Sequence, residues 1–379
     1  MNTKRDTIVL FLGESDFGNI ASMVAALADG FREAGLKTTI IDVRKADYGN
    51  KLAAVAAAET AAALVCVSGF GLPPSPDSPA VARFNEMGVS VIGVFLDHPF
   101  CLRDRIDLPL KDYHACFPAA HAVDFCKRFI RPGPAYHHLA HGGVPREPLD
   151  WSARDIPMIL TGSLFMPPEE QRRRWHEHGL EVETRLNDIT DLVWQDLSRP
   201  LESCVLEVLG GDPDFDTIFP YMKTVDDFVR NAQRLDVVRA LASLPLTVVG
   251  PGWGPYAESM PGVCFVGETT IQETLALMDR AKVVLNPFPG YNDSHERVFN
   301  AMAGGAAVLT SRSTYYVEAF AADEIFFLPN RSDGLAQWIT PLMKDDDRVS
   351  ATALAGRRRF MREHTWACRA ERLCHLAGL

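Results

Sequence analysis

Short apolar runs alternate with helical segments along the first hundred residues, and this alternation constrains the fold more than any other feature. Strand-like runs and segments with helical apolar spacing follow one another at 8–12, 21–34, 38–43, 52–63, 64–69, 80–87 and 89–96. Such alternation is typical of βαβ units around a parallel sheet. Continuous apolar runs such as VIGVFL fit strands that are covered on both faces. The sequence therefore predicts an α/β fold.

A second series of the same kind follows a stretch that is rich in Pro, Gly and His, RPGPAYHHLAHGGVPREPLD. Strand-like runs recur at 157–163, 246–250, 263–267, 283–286, 307–310 and 326–328, with a largely helical region at 168–243. We therefore predict two Rossmann-like, doubly wound parallel-sheet domains, which meet near residue 148. Folds of this class bind ligands at the carboxyl ends of their strands, and we expect a cleft between the domains.

Charge and cysteine content exclude several classes of function. The 379 residues hold 38 Lys and Arg against 49 Asp and Glu, a formal net charge of −11, which argues against nucleic-acid binding. No apolar run is long enough to span a membrane, and the N-terminus lacks a signal-peptide pattern, so we expect a cytoplasmic protein without a transmembrane segment. The eight cysteines form no CxxC pair, so we expect neither disulfides nor a zinc site.

The most informative segment is NPFPGYNDSHERVFNAMAGGAAVLTSR, residues 286–312. A strand ends at Asn286, Ser294 is a candidate N-cap, and a helix from Glu296 ends at a glycine pair. Free backbone N–H groups at a helix N-terminus, with Arg297 in the first turn, suit an anion such as a diphosphate. The alternative is that Glu296 and Arg297 are only surface charges at a helix end.

This segment also resembles the C-terminal half of GT-B glycosyltransferases, and in particular the spore-maturation (CgeB-like) branch of family 1-type enzymes. The helix reads ERVFNAMAGGA and is followed by VLT. The turn GPGW at 250–253, the run FVG at 265–267 and the segment HTWACR at 364–369 resemble further family elements. The similarity covers about residues 245–372 and is only architectural over residues 1–150.

The resemblance implies a domain organisation and a set of donor-binding residues. It implies an acceptor-side domain at 1–148, a nucleotide-sugar domain at 149–355, and a helix at 356–379 that packs back on the first domain through Trp366 and Leu373. The positions that should line the base and the diphosphate or sugar are Gly250, Trp253, Gly267, Thr269, Thr270, Asn286, Ser294, His295, Glu296 and Arg297. Gly162 and Ser163 follow the first strand of the second domain and should contact either the donor phosphates or the acceptor. Asn300 stands where many relatives carry a glutamate that holds the ribose hydroxyls.

Candidate residues in the N-terminal half are fewer. The loop from Gly13 to Gly18 follows the first strand and could approach a phosphate or sugar closely. Asp97 and His98 follow the strand VIGVFL, where either could act as the base of an inverting transfer, although a simple turn is the alternative. The histidines 137, 138 and 141 could bind a metal, but a structural role near the linker is favoured.

Together these features predict a glycosyltransferase that moves a sugar from a nucleotide-diphosphate donor to an acceptor hydroxyl or amide. Arg297 would stabilise the leaving diphosphate without a metal ion, and no cofactor is expected beyond the donor itself. The donor nucleotide stays open among UDP, GDP and dTDP. The acceptor stays open among a polysaccharide, a protein such as flagellin, and a small molecule. The alternatives are a nucleotide-sugar epimerase of the same fold and a non-catalytic two-domain sugar- or nucleotide-binding protein.

Overall fold

The computed structural model describes residues 5–14, 19–130, 134–329 and 332–379. The chain divides into two compact units, which are unit 1 (Met1–Val144 with Glu363–Leu379) and unit 2 (Pro145–Arg362). The chain thus changes unit at 144–145 and at 362–363, whereas the changes predicted from the sequence are at 148–149 and 355–356.

Unit 1 is built on a six-stranded parallel sheet. Its strands are β1 (Thr7–Leu12), β2 (Lys37–Asp42), β3 (Ala61–Val67), β4 (Ser90–Val94), β5 (Tyr113–Phe117) and β6 (Ala135–His138). Their order in the sheet is β2-β1-β3-β4-β5-β6. The central strands are almost entirely buried, as their continuous apolar sequences predict.

Helices connect these strands, with two departures from the predicted elements. The helices are α1 (Ile20–Glu33), α2 (Tyr48–Ala58), α3 (Pro79–Met87), α4 (Arg103–Ile106) and α5 (Ala122–Phe129). The helix predicted over 52–63 ends at Ala58, because Glu59 adopts a left-handed conformation (φ 51°) and the alanines that follow enter β3. The stretch predicted as a linker contains β6, which pairs with β5 at the sheet edge.

Unit 2 is built on a second six-stranded parallel sheet. Its strands are β7 (Ile156–Thr161), β8 (Leu246–Val249), β9 (Val263–Gly267), β10 (Ala281–Asn286), β11 (Ala307–Thr310) and β12 (Phe326–Phe327). Their order is β12-β11-β10-β7-β8-β9, so β7 and β10 occupy the centre. The predicted α/β class and the two parallel sheets are therefore confirmed.

Helices cover both faces of this second sheet. They are α6 (Pro168–Trp175), α7 (Leu180–Gln195), α8 (Leu201–Leu209), α9 (Phe215–Ala240), α10 (Gly254–Ala257), α11 (Ile271–Asp279), α12 (Glu296–Ala303), α13 (Thr314–Ala319), α14 (Leu335–Lys344) and α15 (Asp346–Glu363). One core cluster joins α9 and α14 to the sheet, and a second joins α12 and α13 to its other residues. The long helix α9 leads directly to β8, which brings its C-terminal half close to the strand ends.

The last helix, α16 (Trp366–Leu376), belongs to unit 1. Trp366 is 1% exposed and Leu373 is fully buried, and both join the core that contains β1, β3 and α1. The α1–α16 contact is close at Gly30, where a Cβ atom would lie 2.6 Å from the Cα of Ala367. The side-chain hydroxyl of Thr365 caps the helix by accepting a hydrogen bond from the backbone N–H of Cys368.

All eight cysteines are free thiols, in agreement with the predicted absence of disulfides. Burial raises the pKa of the Cys116 thiol to about 12, so this thiol stays protonated at neutral pH. Over the described ranges, none of the helices combines the length and the apolar character that crossing a membrane requires.

Candidate functional site

Three glycine turns that are far apart in the sequence meet at the carboxyl ends of β7, β8 and β9. The backbone N–H of Gly162 donates to the carbonyl of Val249 (2.7 Å), and that of Gly250 donates to the carbonyl of Gly267 (2.7 Å). Gly250 has a φ of 134°, and a Cβ there would lie 2.7 Å from the Gly162 carbonyl oxygen. Only glycine fits this position, because the turns touch through their backbones.

The buried side chain of Trp253 supports the turn at Gly162. Its side chain is 2% exposed, and its indole Nε1 donates a hydrogen bond to the Gly162 carbonyl (2.8 Å). The indole also stacks on Phe265 at a ring-centroid distance of 6.0 Å. The family resemblance implied that Trp253 lies against the base of a nucleotide. In the structure its indole holds the Gly162 turn in place.

Helix α12 begins beside these turns. Its N-cap is His295, whose Nδ1 accepts from the backbone N–H of Arg297 (3.4 Å). The expectation that Ser294 caps the helix is therefore wrong, and Ser294 is instead buried at 2% exposure. The hydroxyl of Tyr316 accepts from the backbone N–H of His295 (2.7 Å), which fixes the entry into the helix.

Arg297 is turned inward across the strand ends. Its residue is only 8% exposed, its Nε donates to the Thr161 hydroxyl (2.9 Å), and its Nη1 donates to the Asn286 side-chain oxygen (2.8 Å). The Asn286 amide in turn donates to the Thr310 hydroxyl (2.9 Å). Asn286, which was predicted as a ligand contact, therefore orients Arg297. Two guanidinium donors are held by neutral oxygens, so the charge of Arg297 is not cancelled by a carboxylate.

A second guanidinium reaches the same place from α9. Arg234 donates from Nη1 to the Ser163 carbonyl (2.8 Å), while its Nε is buried without a hydrogen-bond partner. A Cβ on Gly162 would lie 3.3 Å from Nη2 of Arg297 and 3.4 Å from Nε of Arg234. Both guanidinium groups therefore border one backbone position. We call this arrangement of Gly162, Ser163, Arg234 and Arg297 the arginine turn.

Arg234 was not among the residues predicted from the sequence. The only signal was the spacing of Arg230 and Arg234, which are one helical turn apart on a helix rich in buried apolar residues. The structure separates their roles: Arg230 pairs with the Asp226 carboxylate (2.7 Å), whereas Arg234 forms no salt bridge with any described residue.

The electrostatics of the arginine turn favour an anion. Burial lowers the pKa of Arg234 to about 9, and the positive charges of Arg297 and Arg230 add to this effect. Burial likewise lowers the pKa of Arg297 to about 10. Both groups stay cationic at neutral pH, and keeping two like charges buried together is unfavourable until a negative group joins them.

The other predicted donor-side residues surround this point less closely. Gly267 has a φ of 81° with open space at its α-carbon. Thr270 caps α11 in a reciprocal capping box with Glu273, and the Thr269 hydroxyl is hydrogen-bonded to Thr274 (2.8 Å). Glu296 and Asn300, both partly exposed, occupy the first and second turns of α12.

The remaining candidates belong to unit 1. Asp97 is exposed after β4, whereas His98 is 3% exposed and its Nδ1 accepts from the backbone N–H of Phe100 (3.3 Å). Gly13 lies against the ring of Phe70, and a Cβ at Gly13 would lie 2.1 Å from that ring. Residues 15–18 of the predicted glycine loop lie outside the described residues. His137 is hydrogen-bonded to His114 (3.0 Å between ring nitrogens) on neighbouring strands.

Comparison with known proteins agrees with this architecture. Residues 230–375 match the family described as glycosyl transferase-like. The solved structures that resemble the chain include sucrose-phosphate synthase from Thermosynechococcus elongatus (TM-score 0.54, 12% identity, 98% of each chain covered), Anabaena HepE in complex with UDP and glucose (0.53, 10%, 98% of this chain and 99% of that one), and an alpha-glucosyltransferase in complex with UDP (0.55, 10%, 98% and 99%). No curated protein matches the sequence significantly.

These findings establish the class of fold. The two six-stranded parallel sheets with flanking helices match GT-B glycosyltransferases over nearly the whole chain, which confirms the predicted architecture. The matched family segment contains Arg234, β8 to β12 and α12, so it includes both arginines of the arginine turn. The family match and the fold together support glycosyltransferase activity.

Proposed function

We propose that this protein transfers a sugar from a nucleotide-diphosphate donor to an acceptor hydroxyl or amide. The observation that carries this proposal is the arginine turn, in which two buried guanidinium groups border Gly162 without a carboxylate partner. A diphosphate supplies the missing negative charge, and a planar guanidinium group can bind two phosphate oxygens in a bidentate arrangement.

In this mechanism the acceptor oxygen or nitrogen forms a bond to the anomeric carbon, while the bond between that carbon and the diphosphate oxygen breaks and its electron pair leaves with the nucleotide. Arg297, Arg234 and the backbone N–H groups at the start of α12 stabilise the negative charge that develops there. Thr161 and Asn286 are positioning residues, because they hold the Arg297 guanidinium through Nε and Nη1. Fixed positive charge of this kind supports transfer without a metal ion.

The base and ribose would lie beyond the diphosphate, toward the turns at Gly250 and Gly267 and toward Asn300. Uridine nucleotides are the first donors to test, because HepE and the alpha-glucosyltransferase were solved with UDP. Asn300 can hydrogen-bond a ribose diol as donor and acceptor, but it lacks the charge of a glutamate. The similarity of α12 to the CgeB-like branch supports the further proposal that this protein belongs to that branch.

If the reaction inverts the sugar, a base must take the proton of the acceptor. Of the two predicted candidates Asp97 is exposed, whereas His98 is buried and its Nδ1 accepts a backbone hydrogen bond. We therefore assign this step to Asp97 in the inverting case. A retaining transfer needs no such base, because the departing diphosphate oxygen can take the acceptor proton.

The decisive experiment measures UDP binding by titration calorimetry and UDP release from UDP-glucose in the presence of candidate acceptors. We expect Arg297→Ala and Arg234→Gln each to weaken UDP binding by about tenfold or more, the scale of one lost charged hydrogen bond. Arg239→Gln is the matched control, since Arg239 lies on the same helix with a half-exposed side chain that pairs with Glu169. It should bind UDP as the unaltered protein does.

Folded Arg297 and Arg234 variants that bind UDP normally would contradict the proposed diphosphate site. Release of UDP must also depend on an acceptor or on slow hydrolysis. If the protein instead interconverts the donor sugar without releasing nucleotide, it is an epimerase and the proposal of transfer is wrong.

A further inference from the structure

Unit 2 contains a pocket whose lining includes none of the residues of the arginine turn. It has a volume of about 880 Å³, within the usual range for small-molecule sites, and lies where β11 and β12 end. We call it the β12 pocket. Its lining comes from residues 194–198, from Gln233, Asp236 and Val237 on α9, from 311–314 with Val317 and Glu318, and from Leu328, Pro329, Ser332, Asp333 and Leu335.

One wall of the β12 pocket holds a buried amide with an unused hydrogen-bonding atom. Gln233 is 7% exposed; its Nε2 donates to the Ser311 hydroxyl (2.8 Å), and its Oε1 is buried without a partner. Turning the amide over would leave the other atom unpaired instead. Such an unsatisfied buried group lowers the free energy of unfolding by about 1–3 kcal/mol. A ligand hydroxyl can pair with the unpaired oxygen or nitrogen of the amide, because a hydroxyl both donates and accepts a hydrogen bond.

The charges in the β12 pocket are mostly negative. Four carboxylates line it, from Asp196, Asp236, Glu318 and Asp333, against one cation, Arg312, among the described lining residues. Asp236, Glu318 and Asp333 form no hydrogen bond or salt bridge with any described residue. The Arg312 guanidinium lies over the ring of Phe327, 4.7 Å from its centroid. The pocket therefore has spare negative charge, which repels an anionic ligand and attracts a cationic one.

The position of Asp236 supports the same conclusion. Burial raises the pKa of the Asp236 carboxyl, and the charges of Glu169 and Asp333 raise it further, although Arg239 opposes them. An ammonium group placed between Asp236 and Asp333 would relieve that repulsion and form charge-assisted hydrogen bonds.

The remaining lining suits a sugar ring. Hydroxyls of Ser198, Thr314 and Ser332 stand beside apolar surface from Trp194, Val237 and Leu328. A pyranose ring can contact both kinds of lining. Its hydroxyls form hydrogen bonds with polar groups, while its C–H face packs on aromatic and aliphatic side chains.

From these observations we propose that the β12 pocket binds an amine-bearing sugar, with its ammonium group between Asp236 and Asp333 and a hydroxyl on Gln233. The site shares no lining residue with the arginine turn, because Gly162, Ser163, Arg234 and Arg297 do not line the β12 pocket. The proposal does not depend on glycosyl transfer, so it can be tested whether or not UDP binds.

The test uses the full chain and three disaccharides of one size in titration calorimetry. The glucosamine dimer carries the amine, N,N′-diacetylchitobiose carries acetamide in its place, and cellobiose carries hydroxyl. We expect saturable binding of the glucosamine dimer, about tenfold tighter than either of the others, as expected for one charge-assisted contact. Asp236→Asn and Asp333→Asn should each weaken binding of the glucosamine dimer by about tenfold.

Asp347→Asn is the matched control, since it removes one exposed charge of α15 outside the pocket and changes the net charge equally. It should leave the affinity unchanged. Equal affinity for the glucosamine dimer and cellobiose, no saturable binding at all, or the same loss in Asp347→Asn as in Asp236→Asn would each overturn the proposal. UDP binding to the same variants should stay normal, which separates this site from the donor site.

Discussion

At the scale of single residues, Gly162 determines how closely an anion can approach the two guanidinium groups of the arginine turn. A methyl group there would contact both Arg297 and Arg234, at 3.3 and 3.4 Å. Gly162 does not have a positive φ, so alanine meets no backbone strain. We therefore expect Gly162→Ala to weaken UDP binding by about tenfold, with a stability loss under about 1 kcal/mol.

Calorimetry and thermal unfolding check this prediction together. Gly254→Ala is the control, because a Cβ at Gly254 would meet nothing within 4 Å. A Gly162→Ala protein that binds UDP normally would show that the diphosphate does not approach this turn. A large loss of stability in the same variant would show that Gly162 has a mainly structural role.

The sequence allowed Arg297 to be predicted as a site residue, whereas it did not reveal Arg234. Arg297 could be selected because it follows a strand, a loop and a cap within one short segment, where local rules for helix N-termini apply. Arg234 lies in the middle of a long helix, and its contact at Ser163 joins residues 71 positions apart. No local pattern encodes such a contact, so only the folded sheet reveals it.

At the scale of secondary-structure elements, the packing of α16 on α1 depends on one glycine. A Cβ at Gly30 would lie 2.6 Å from the Ala367 Cα and 2.8 Å from the Ala370 Cβ. Alanine has the higher helix propensity by about 1 kcal/mol, but the clash is with backbone and the helices must separate. We expect Gly30→Ala to lower the free energy of unfolding by about 1–3 kcal/mol.

Gly49→Ala provides the opposite case, because Gly49 lies in α2 with nothing within 4 Å of a new Cβ. It should raise the free energy of unfolding by up to about 1 kcal/mol. Urea titration of both variants checks the pair. A stabilised Gly30→Ala protein would mean that α1 and α16 are not in close contact.

The β5–β6 pair predicts a loss of stability at acid pH. His114 Nδ1 and His137 Nε2 are 3.0 Å apart, which requires one ring nitrogen to accept and so one ring to be neutral. Burial lowers the pKa of His137 below its usual 6.5, and the charges of His114 and Arg372 lower it further. Below pH 6.5 the unfolded chain binds a proton that the folded chain resists, so stability falls as pH falls.

Thermal unfolding between about pH 7.5 and pH 5.5 measures this effect, over a range of about one unit on each side of a histidine's usual pKa. His137→Gln should lose less stability across that range than the unaltered protein. His375→Gln, which removes an exposed histidine of the same unit, should behave as the unaltered protein does. Equal acid sensitivity in all three proteins would rule out His137 as the cause.

The predicted bounds of helices and strands are correct where the apolar periodicity agrees with the residues that mark the ends of an element. They are wrong where the two signals conflict. The strand β1 and the helices α1 and α3 lie within a residue or so of the predicted bounds, since each has a clear apolar pattern. The alanine run around 52–63 suits a helix and a strand equally, so its division at Glu59 depends on tertiary packing. The edge strand β6 has no fully buried residue and a histidine-rich sequence, which resembles a linker.

At the scale of the whole molecule, the sequence predicted two α/β units, and the resemblance supplied the return of the last helix. Unit 2 is one continuous segment, whereas unit 1 is completed by residues from both ends of the chain. The apolar pattern of α16 could not show this by itself, because a helix stripe indicates burial without indicating the partner. The partner is visible only in the core that Trp366 and Leu373 share with α1, β1 and β3.

Because α16 belongs to unit 1, a destabilising substitution in α16 should also destabilise the N-terminal elements of the same unit. Leu373 is fully buried in the core of unit 1, so Leu373→Ala should cost about 2–5 kcal/mol there. Hydrogen exchange followed by mass spectrometry should show faster exchange in β1, β3 and α1, while the strands of unit 2 keep their protection.

Leu354→Ala, at a position 51% exposed on α15, is the control and should change neither unit. Equal loss of protection in both units would mean that the chain unfolds as one cooperative body, and unchanged exchange in unit 1 would mean that α16 does not complete its core. Because residues 8–12 and 373 are at opposite ends of the chain, coupled exchange between them can come only through the packed core.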